Sequence, residues 1–374
     1  MKLTLCLIVK DEEQYLRDCV MSTRELVDEV VIVDTGSSDR TPDIARELAD
    51  TFLATPFTGD FATTRNVAVD HATGDWILFL DADERLPAGE TGPLRSALER
   101  AADSDVGFTL LRYNFFGTGG FYSSRELKVF RRLPALRYER PVNESVGPAI
   151  TRLGGRVAAA PVVLNHFGQC RPIAVRERKA ERYLALMDKG LAERPYDPWF
   201  DAYRGLILRT LGRMDEALAA GRRALQKAPD HPVVNLFYGH VVRAAGQPEE
   251  ALDHYLAGLA LAPGDAALRN MVGVQLLALG RGDEADTYFV AAREAEPRLL
   301  HTDINRGLVA QSQCRWRDAE ALFGRVATEN PGFLHEEWGT RTERDYFRCT
   351  HFETPFGYAG LGYHLGYARL RAAP

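Results

Sequence analysis

The sequence is poor in lysine and in cysteine. Only six of its 46 basic residues are lysines, and its five cysteines are scattered, with no Cys-x-x-Cys pair among them. An odd number of dispersed cysteines argues against a disulfide scaffold and against a cysteine-rich zinc site, and it favours a reducing compartment. Charged residues make up 26% of the chain and aromatic residues 10%, which is typical of a globular protein and excludes a disordered or collagen-like chain.

Long hydrophobic runs and an excess of positive charge are also missing. The first apolar run, residues 3–9, ends in Lys10-Asp11-Glu12-Glu13, so it is too short to span a membrane and does not resemble a signal peptide. A formal net charge of −6 gives no general attraction to nucleic acid or to an anionic membrane. We therefore expect a cytoplasmic protein of about two domains, with no membrane span and no nucleic-acid partner.

The C-terminal half of the sequence repeats with a period of 34 residues. Each unit is predicted to form a helix, a short glycine turn and a second helix that ends at proline, because proline disrupts a helix interior. A small residue within the unit lets its two helices approach closely. The columns that keep the period are Pro195, Pro229, Pro263, Pro297 and Pro331; Ala217, Ala251, Ala285 and Ala319; and Gly212, Gly246 and Gly280, with Cys314 in the next slot.

This period resembles that of the tetratricopeptide repeats, and it predicts an all-α solenoid over residues 195–334. We expect a linking helix over residues 171–194 before the solenoid and an aromatic-rich cap or flap over residues 335–374 after it. Two interpretations of the solenoid stay open. It is either a scaffold or homodimer surface, or a concave groove that binds a peptide acceptor.

The N-terminal half alternates between strand and helix. Apolar residues 3–9, 29–33 and 76–80 predict three buried strands, and residues 11–27 predict a helix between the first two. Thr41 is predicted to cap a further helix that has Pro42 at its first position. Such alternation predicts a parallel sheet covered by helices.

The turn after the first predicted strand reads Val-Lys-Asp-Glu-Glu, residues 9–13. It contains neither Gly-x-Gly-x-x-Gly nor Gly-x-x-x-x-Gly-Lys-[Ser/Thr], and its acidic side chains would repel a pyrophosphate. NAD binding and P-loop chemistry are therefore disfavoured. Acids at strand ends instead suit hydrogen bonds to sugar hydroxyls and base N–H groups, and they suit metal coordination at the carboxyl edge of the sheet.

Two aspartates directly follow the third predicted strand, in the segment Leu80-Asp81-Ala82-Asp83-Glu84. If the chain is extended there, Asp81 and Asp83 share one face. Two neighbouring carboxylates at an open strand end are costly unless a cation lies between them. Oxygen ligands select Mg²⁺ or Mn²⁺, which in turn bridge diphosphate oxygens.

Four segments together carry a family resemblance: CLIVKDEEQYL, VVIVDTGSSDRT, the stretch from Phe61 to Asn66, and GDWILFLDADE. In this order and spacing they resemble the family 2 glycosyltransferases, over residues 1–170. The resemblance implies an α/β nucleotide-diphospho-sugar transferase domain of the GT-A fold. Its combination with C-terminal repeats is similar to the bacteriocin peptide S- and O-glycosyltransferases.

The resemblance also implies which residues bind the nucleotide-sugar. Asp34 would hold the nucleoside, and Asp11 or Glu12 would help at the base or ribose. Arg65 would contact the diphosphate or lock the loop that carries Asp34, and Asp81 would reach the ribose or the donor sugar. The complete implied set is Asp11, Glu12, Asp34, Arg65, Asp81 and Ala82.

For catalysis, the resemblance implies that Asp83 is the direct ligand of Mn²⁺ or Mg²⁺ and that His166 supplies a second ligand. Glu144 would be the catalytic base or the group that positions the acceptor. Its neighbour is Asn143, where members of the family usually have a Glu-Asp pair. Glu144 is alternatively a solvated carboxylate or the salt-bridge partner of Arg140. A group of basic residues either forms a solvated face or includes a cation that faces a phosphate: Arg125, Lys128, Arg131 and Arg132.

The leading hypothesis is a metal-dependent, inverting glycosyltransferase. It would move a sugar from an NDP-sugar, with UDP-sugar favoured, to a peptide side chain or a small natural product. A nucleotidyltransferase is the alternative enzyme, but it would need a loop rich in Gly and Arg/Lys after the first strand. A tetratricopeptide adaptor with an inactive front domain is the non-enzyme alternative, and the clustered Asp34, Asp81 and Asp83 weigh against it.

Overall fold

The computed structural model describes residues 1–116, 121–141, 144–171, 173–329, 351–354 and 357–373. The chain divides into two compact units. The first consists of Met1–Phe115 and Tyr122–Gln169, and the second of Phe116–Phe121 and Cys170–Pro374. No helix within the described ranges combines the length and the apolar character that a bilayer crossing requires.

The first unit is an α/β domain built on a mixed sheet. Among the described residues, this sheet has eight strands in the order β3-β2-β1-β4-β7-β6-β8-β5. The strands are β1 Leu3–Val9, β2 Glu29–Asp34, β3 Thr51–Ala54, β4 Trp76–Phe79, β5 Glu84–Arg85, β6 Asp105–Phe116, β7 Phe121–Arg131 and β8 Arg156–Gln169; the helices are α1 Leu16–Thr23, α2 Thr41–Leu48, α3 Phe61–His71, α4 Thr91–Glu99 and α5 Gly147–Arg152.

The prediction of a parallel sheet is right only for the first four strands. β1 pairs in parallel with β2 and with β4, and β2 pairs in parallel with β3. Helical crossovers join these strands in sequence, as parallel neighbours require. β7 instead runs antiparallel to β4, and β5 runs antiparallel to β8. The core of this unit lies against the two faces of β1, β2 and β4, whose residues are nearly all buried.

Two local predictions at the start of the chain are wrong. Helix α1 begins at Leu16 and not at residue 11, because Asp11 has a φ of 55° and Glu12 donates its backbone N–H to the Thr41 hydroxyl at 2.7 Å. Thr41 therefore does not cap α2. The Asp39 carboxylate instead accepts the Thr41 N–H at 2.9 Å, and Pro42 lies in the first turn as predicted.

The second unit is helical, and its paired helices follow the 34-residue period. Its helices and its short hairpin are α6 Ile173–Glu193, α7 Pro198–Thr210, α8 Met214–Lys227, α9 Pro232–Ala244, α10 Pro248–Leu261, α11 Ala266–Ala278, α12 Gly282–Ala295, α13 Leu300–Ser312, α14 Trp316–Glu329, β9 His351–Thr354, β10 Gly357–Gly360 and α15 Leu361–Ala372. The fold is thus a GT-A-type α/β domain followed by an all-α repeat solenoid.

A glycine in the first helix of a repeat faces an aromatic ring in the second. A Cβ built on Gly239, Gly273 or Gly307 would lie 2.4–2.6 Å from a ring carbon of Tyr255, Phe289 or Phe323, respectively, and these rings are fully buried. These two columns were not predicted from the sequence, although both keep the 34-residue period. Absence of a side chain at these glycines allows close helix packing in consecutive repeats.

The last described helix packs on the last repeat. α15 contacts α14, where the Tyr367 ring meets Trp316 edge-on at 5.5 Å and Arg371 lies 5.2 Å from the Trp316 ring centre. Residues 335–350, 355, 356 and 374 of the predicted aromatic cap lie outside the described residues. A cap at this end stays a prediction, as does a homodimer through the repeats.

The cysteines differ in state. Cys6 and Cys19 are buried free thiols and Cys314 is an exposed one, whereas Cys170 is disulfide-bonded. A single disulfide-bonded cysteine among the described residues does not make a disulfide scaffold. It does weaken the argument, drawn from the cysteine pattern, for a reducing compartment.

Replacing Gly273 by Ala is expected to lower the free energy of unfolding of the second unit by about 1–3 kcal/mol, because the new methyl would overlap the buried Phe289 ring. Gly324→Ala in α14 is the matched control, since a Cβ there meets nothing within 4 Å and alanine is the better helix former. Urea denaturation followed by hydrogen-exchange mass spectrometry of α11 and α12 measures both variants. Equal losses in the two would contradict the packing argument.

Candidate active site

The candidate site lies where β4 ends and the chain turns into β5. The Glu84 backbone N–H donates to the Asp81 carbonyl at 2.9 Å, and the Asp81 N–H donates to the Glu84 carboxylate at 3.0 Å. The chain from Asp81 to Glu84 is therefore a turn and not an extended strand. The expectation that Asp81 and Asp83 share one face of an extended segment is wrong for this reason, and the two carboxylates have different neighbours.

Asp81 lies between two cations. Its Oδ1 is 2.9 Å from Arg65 Nη2, and its Oδ2 is 3.5 Å from Lys128 Nζ. Burial disfavours the charged carboxylate, but the charges of Lys128 and Arg65 outweigh burial and hold the pKa of Asp81 well below its usual range. Asp81 is therefore an ionised group whose two oxygens both face basic side chains.

Lys128 joins Asp81 to a second, fully buried carboxylate. Its Nζ donates to Glu84 Oε2 at 2.7 Å, and Arg112 Nη1 lies 3.2 Å from Glu84 Oε1. Burial lowers the pKa of Lys128, whereas Asp81 and Glu84 raise it, and the net direction is upward. Lys128 is thus not on a solvated face, and a phosphate-facing cation among the four basic residues stays a prediction. Lys128 is held by carboxylates of the protein itself.

Arg65 connects Asp81 to Glu144. Its Nε donates to Glu144 Oε1 at 2.6 Å, and its guanidinium lies 4.5 Å from the ring centre of Phe79. Burial alone would lower the pKa of Arg65, but Glu144 and Asp81 raise it well above its usual value. The structure therefore places Arg65 against these two carboxylates, and its role towards the diphosphate or the Asp34 loop stays a prediction. Glu144 pairs with Arg65, and not with Arg140 as one interpretation had it.

Asp34 is the last residue of β2 and Asp11 follows the neighbouring parallel strand β1, and both stabilise the loop between residues 34 and 38. Asp34 accepts hydrogen bonds from the backbone N–H groups of Gly36 and Ser37, at 3.0 and 3.1 Å. Asp11 Oδ1 accepts the Ser38 N–H at 2.7 Å. The two carboxylates thus shape this edge of the sheet, and their assignment to the nucleotide stays a prediction, as does that of Glu12.

Asp83 and His166 are brought together by the antiparallel pair β5 and β8. Glu84 lies opposite His166 in this pair, and the Phe167 N–H donates to the Asp83 carbonyl at 2.9 Å. As a result, His166 Nε2 lies 3.4 Å from Asp83 Oδ1. The two residues that the family resemblance implies as metal ligands are therefore neighbours, although 83 and 166 are far apart in the chain.

Gly168 leaves room for this pair. A Cβ at Gly168 would lie 2.6 Å from His166 Nε2 and 2.8 Å from Asp83 Oδ2. The two polar atoms therefore face a space that any other residue at position 168 would partly fill. Within the described ranges, no group of three or more His, Cys, Asp or Glu side chains is arranged to hold a metal ion. A metal ion beside Asp83 and His166 would need further ligands from a bound substrate or from water.

Ala82, between the two aspartates, is buried at 3% exposure, so its methyl group packs inward. Two further contributors were not assigned a role from sequence. Glu84 is visible in the acidic segment, but only the fold shows that it is buried with Lys128 and Arg112. Asn114 lies in β6, a strand that was not predicted from the sequence. Its Oδ1 is 2.8 Å from His166 Nδ1.

Comparison with known proteins identifies both parts of the chain. Residues 4–153 match "Glycosyl transferase family 2", and residues 208–274 match "Tetratricopeptide repeat". The first unit is therefore a family 2 glycosyltransferase domain, of the GT-A class. It is followed in the same chain by tetratricopeptide repeats.

Three relatives show how far the similarity extends. A tetratricopeptide repeat-containing protein of Synechococcus elongatus is 36% identical, over 58% of this chain and 54% of its own length. The glycosyltransferase SunS of Bacillus subtilis is 25% identical, over 38% of this chain and 34% of its own. The lipopolysaccharide core biosynthesis glycosyltransferase LpsC of Rhizobium meliloti is 29% identical, over 49% of this chain and 69% of its own. The chain thus spans about half the length of the first of these relatives and a third of the second.

Replacing Asp81 by Asn is expected to destabilise the first unit by about 1 kcal/mol at neutral pH, since solvent weakens ion pairs of a side chain that is 35% exposed. The folded-state pKa lies below the unfolded value of about 3.9. The stabilisation is therefore present above the unfolded value and is lost as the pH falls towards the folded one.

The difference between the Asp81→Asn variant and the unaltered chain should consequently be constant at about pH 5–7 and smaller at about pH 3.5. Urea denaturation followed by hydrogen-exchange mass spectrometry of β1 and β4 measures it. Asp103→Asn, on the exposed surface, is the control. A difference that grows on acidification would show that the ion pairs of Asp81 do not stabilise the fold.

Proposed function

We propose that the N-terminal unit catalyses metal-dependent, inverting transfer of a sugar from an NDP-sugar to an acceptor. The observation that carries the proposal is the Asp83–His166 pair under Gly168, at the sheet edge of a family 2 glycosyltransferase domain. UDP-sugar is the favoured donor, and a peptide side chain or a small natural product is the acceptor. The similarity to a lipopolysaccharide core enzyme adds a glycan acceptor to these two classes.

The side chains of Asp83 and His166 are suitable ligands for a divalent cation. A carboxylate oxygen and an imidazole nitrogen approach each other at 3.4 Å, and the missing side chain of Gly168 leaves the approach open. Asp83 and His166 would hold the ion. Because Mg²⁺ prefers oxygen ligands, a nitrogen in the set favours Mn²⁺. When bound, the ion would supply Lewis-acid neutralisation of the charge on the departing diphosphate.

The remaining site residues are proposed to bind and orient the nucleotide-sugar. Asp81, fixed by Arg65 and Lys128, would present its carboxylate to a hydroxyl of the ribose or donor sugar. Asp11, Glu12 and Asp34 would form the nucleoside end of the site, on the neighbouring strands β1 and β2.

Glu144 is proposed as the base or as the group that positions the acceptor. Arg65 engages its Oε1 at 2.6 Å, which holds the carboxylate in place, and Oε2 would then face the acceptor. An acceptor proton would move to Glu144 only against the charge of Arg65, so a thiol acceptor, which is already close to ionisation, would need this transfer least. An oxygen acceptor would depend on it more.

Replacing Asp83 by Ala is expected to lower metal-dependent donor turnover by about 100-fold or more, because charge on the leaving diphosphate is no longer neutralised. Asp103→Ala, an exposed aspartate of the same unit, is the matched control and should leave turnover unchanged. Release of nucleoside diphosphate with and without Mn²⁺ measures both, and circular dichroism verifies the fold. Full turnover by the Asp83→Ala variant would refute the metal assignment.

A thermal-shift screen with UDP, GDP, dTDP and ADP identifies the donor class. A nucleotide present at about 100 times its Kd stabilises the folded chain by about 2.7 kcal/mol, which raises the Tm by a few degrees. We expect the largest rise with UDP, and only when Mn²⁺ or Mg²⁺ is present. The Asp83→Ala variant should lose the metal-dependent part of the rise. No shift with any nucleotide would favour the adaptor hypothesis instead.

A further inference from the structure

Three polar side chains on adjacent strands form a continuous row that ends at His166. The strands are β7, β6 and β8, which are neighbours in the sheet, and the side chains are Ser124, Asn114 and His166. Ser124 Oγ is 3.3 Å from Asn114 Nδ2, and Asn114 Oδ1 is 2.8 Å from His166 Nδ1. Asn114 is fully buried, so each of its polar atoms needs a partner of the right kind.

The direction of each hydrogen bond in this row is fixed from the Ser124 end. Ser124 Oγ lies 2.9 Å from Glu126 Oε1, and because a carboxylate only accepts, the hydroxyl must donate to it. The oxygen of Ser124 then accepts a hydrogen bond from the Asn114 amide. The same amide nitrogen faces the Arg112 carbonyl at 3.5 Å, which also accepts only. The amide oxygen of Asn114 therefore faces His166.

This orientation selects one tautomer of the imidazole. With an acceptor 2.8 Å from Nδ1, the neutral ring carries its proton on Nδ1, and Nε2 keeps its lone pair. The other tautomer would place two acceptors 2.8 Å apart beside a buried amide, at the cost of an unsatisfied polar group. The lone pair of Nε2 then faces Asp83 Oδ1 at 3.4 Å, which is a longer and less costly approach of two acceptors than the 2.8 Å approach at Nδ1 would be.

We propose that Asn114 is a positioning residue that fixes the Nδ1–H tautomer of His166 and so directs the Nε2 lone pair into the space beside Asp83. The ligand for that space is a divalent cation, and this part of the inference rests on the proposed function. The tautomer itself is a property of the metal-free chain. Residues that orient a metal-binding histidine through its second nitrogen typically change metal affinity 10- to 100-fold when replaced.

Two substitutions of Asn114 separate the hydrogen bond from packing. Leucine in Asn114→Leu has a similar size and cannot accept from Nδ1–H, whereas the carboxylate in Asn114→Asp can. Thr109→Val is the matched control, because it removes a hydroxyl from the same strand, where Thr109 bonds to the Ala158 carbonyl at 3.5 Å and not to the row.

The first measurement uses the full chain without metal, labelled with ¹⁵N-histidine, at a pH where the imidazole is neutral. The His166 nitrogens are assigned by comparison with His166→Gln. We expect the Nδ1–H form in the unaltered chain, in Thr109→Val and in Asn114→Asp, and loss of this preference in Asn114→Leu. An Nε2–H ring in the unaltered chain, or an unchanged Nδ1–H ring in Asn114→Leu, would overturn the proposal.

The second measurement is the affinity for Mn²⁺ alone, by calorimetry. Asn114→Leu is expected to raise the Kd about 10- to 100-fold, while Asn114→Asp and Thr109→Val stay within a few-fold of the unaltered chain. Equal losses in the leucine and aspartate variants would show that Asn114 acts through packing, and would overturn the proposal. Absence of Mn²⁺ binding by the unaltered chain would refute the proposed metal-dependent function, whereas the metal-free spectra decide the tautomer by themselves.

Discussion

The buried carboxylate of Glu84 is the constraint on which the arrangement of the site depends. A fully buried charge costs several kcal/mol unless it is paired and hydrogen-bonded. Glu84 meets this requirement through Lys128, Arg112 and the backbone N–H of Asp81. These partners come from β7, from β6 and from the turn after β4, so all three must converge around one short strand.

The other charges of the site follow from this one. Lys128 has a second carboxylate within reach, Asp81, and Asp81 in turn holds Arg65, which holds Glu144. The carboxylates and the cations thus alternate along a connected path. Glu84 also lies opposite His166 in the pair of β5 and β8, so the strand that buries the charge is the strand that brings Asp83 to the imidazole.

The sequence predicts well those features whose signal is local or periodic. The strands at residues 3–9, 29–34 and 76–79 are buried on both faces and therefore read as unbroken apolar runs. The solenoid is visible because one period of 34 residues is repeated. The glycine and aromatic columns at positions such as Gly273 and Phe289 carry the same period and were detectable.

The missed features depend on contacts that no local pattern encodes. Lys128 meets Glu84 across 44 residues of chain, and His166 meets Asn114 across 52. No local sequence pattern shows that Lys128 or Asn114 is buried, because a lysine or an asparagine in a strand is equally consistent with an exposed face. Even the local prediction for Asp81 and Asp83 was wrong, since a single backbone hydrogen bond to Glu84 converts an extended segment into a turn.

That turn explains how two aspartates of one short motif come to have different chemistry. Asp81 faces a guanidinium and an ammonium group, which already neutralise it and would repel an added cation. Asp83 faces an imidazole, which in its neutral form offers a lone pair. The proposed divalent cation is therefore assigned to Asp83 and not to Asp81, although both supply the same carboxylate. The difference between them is set by Arg65, Lys128 and His166, and so by α3, β7 and β8 rather than by the motif.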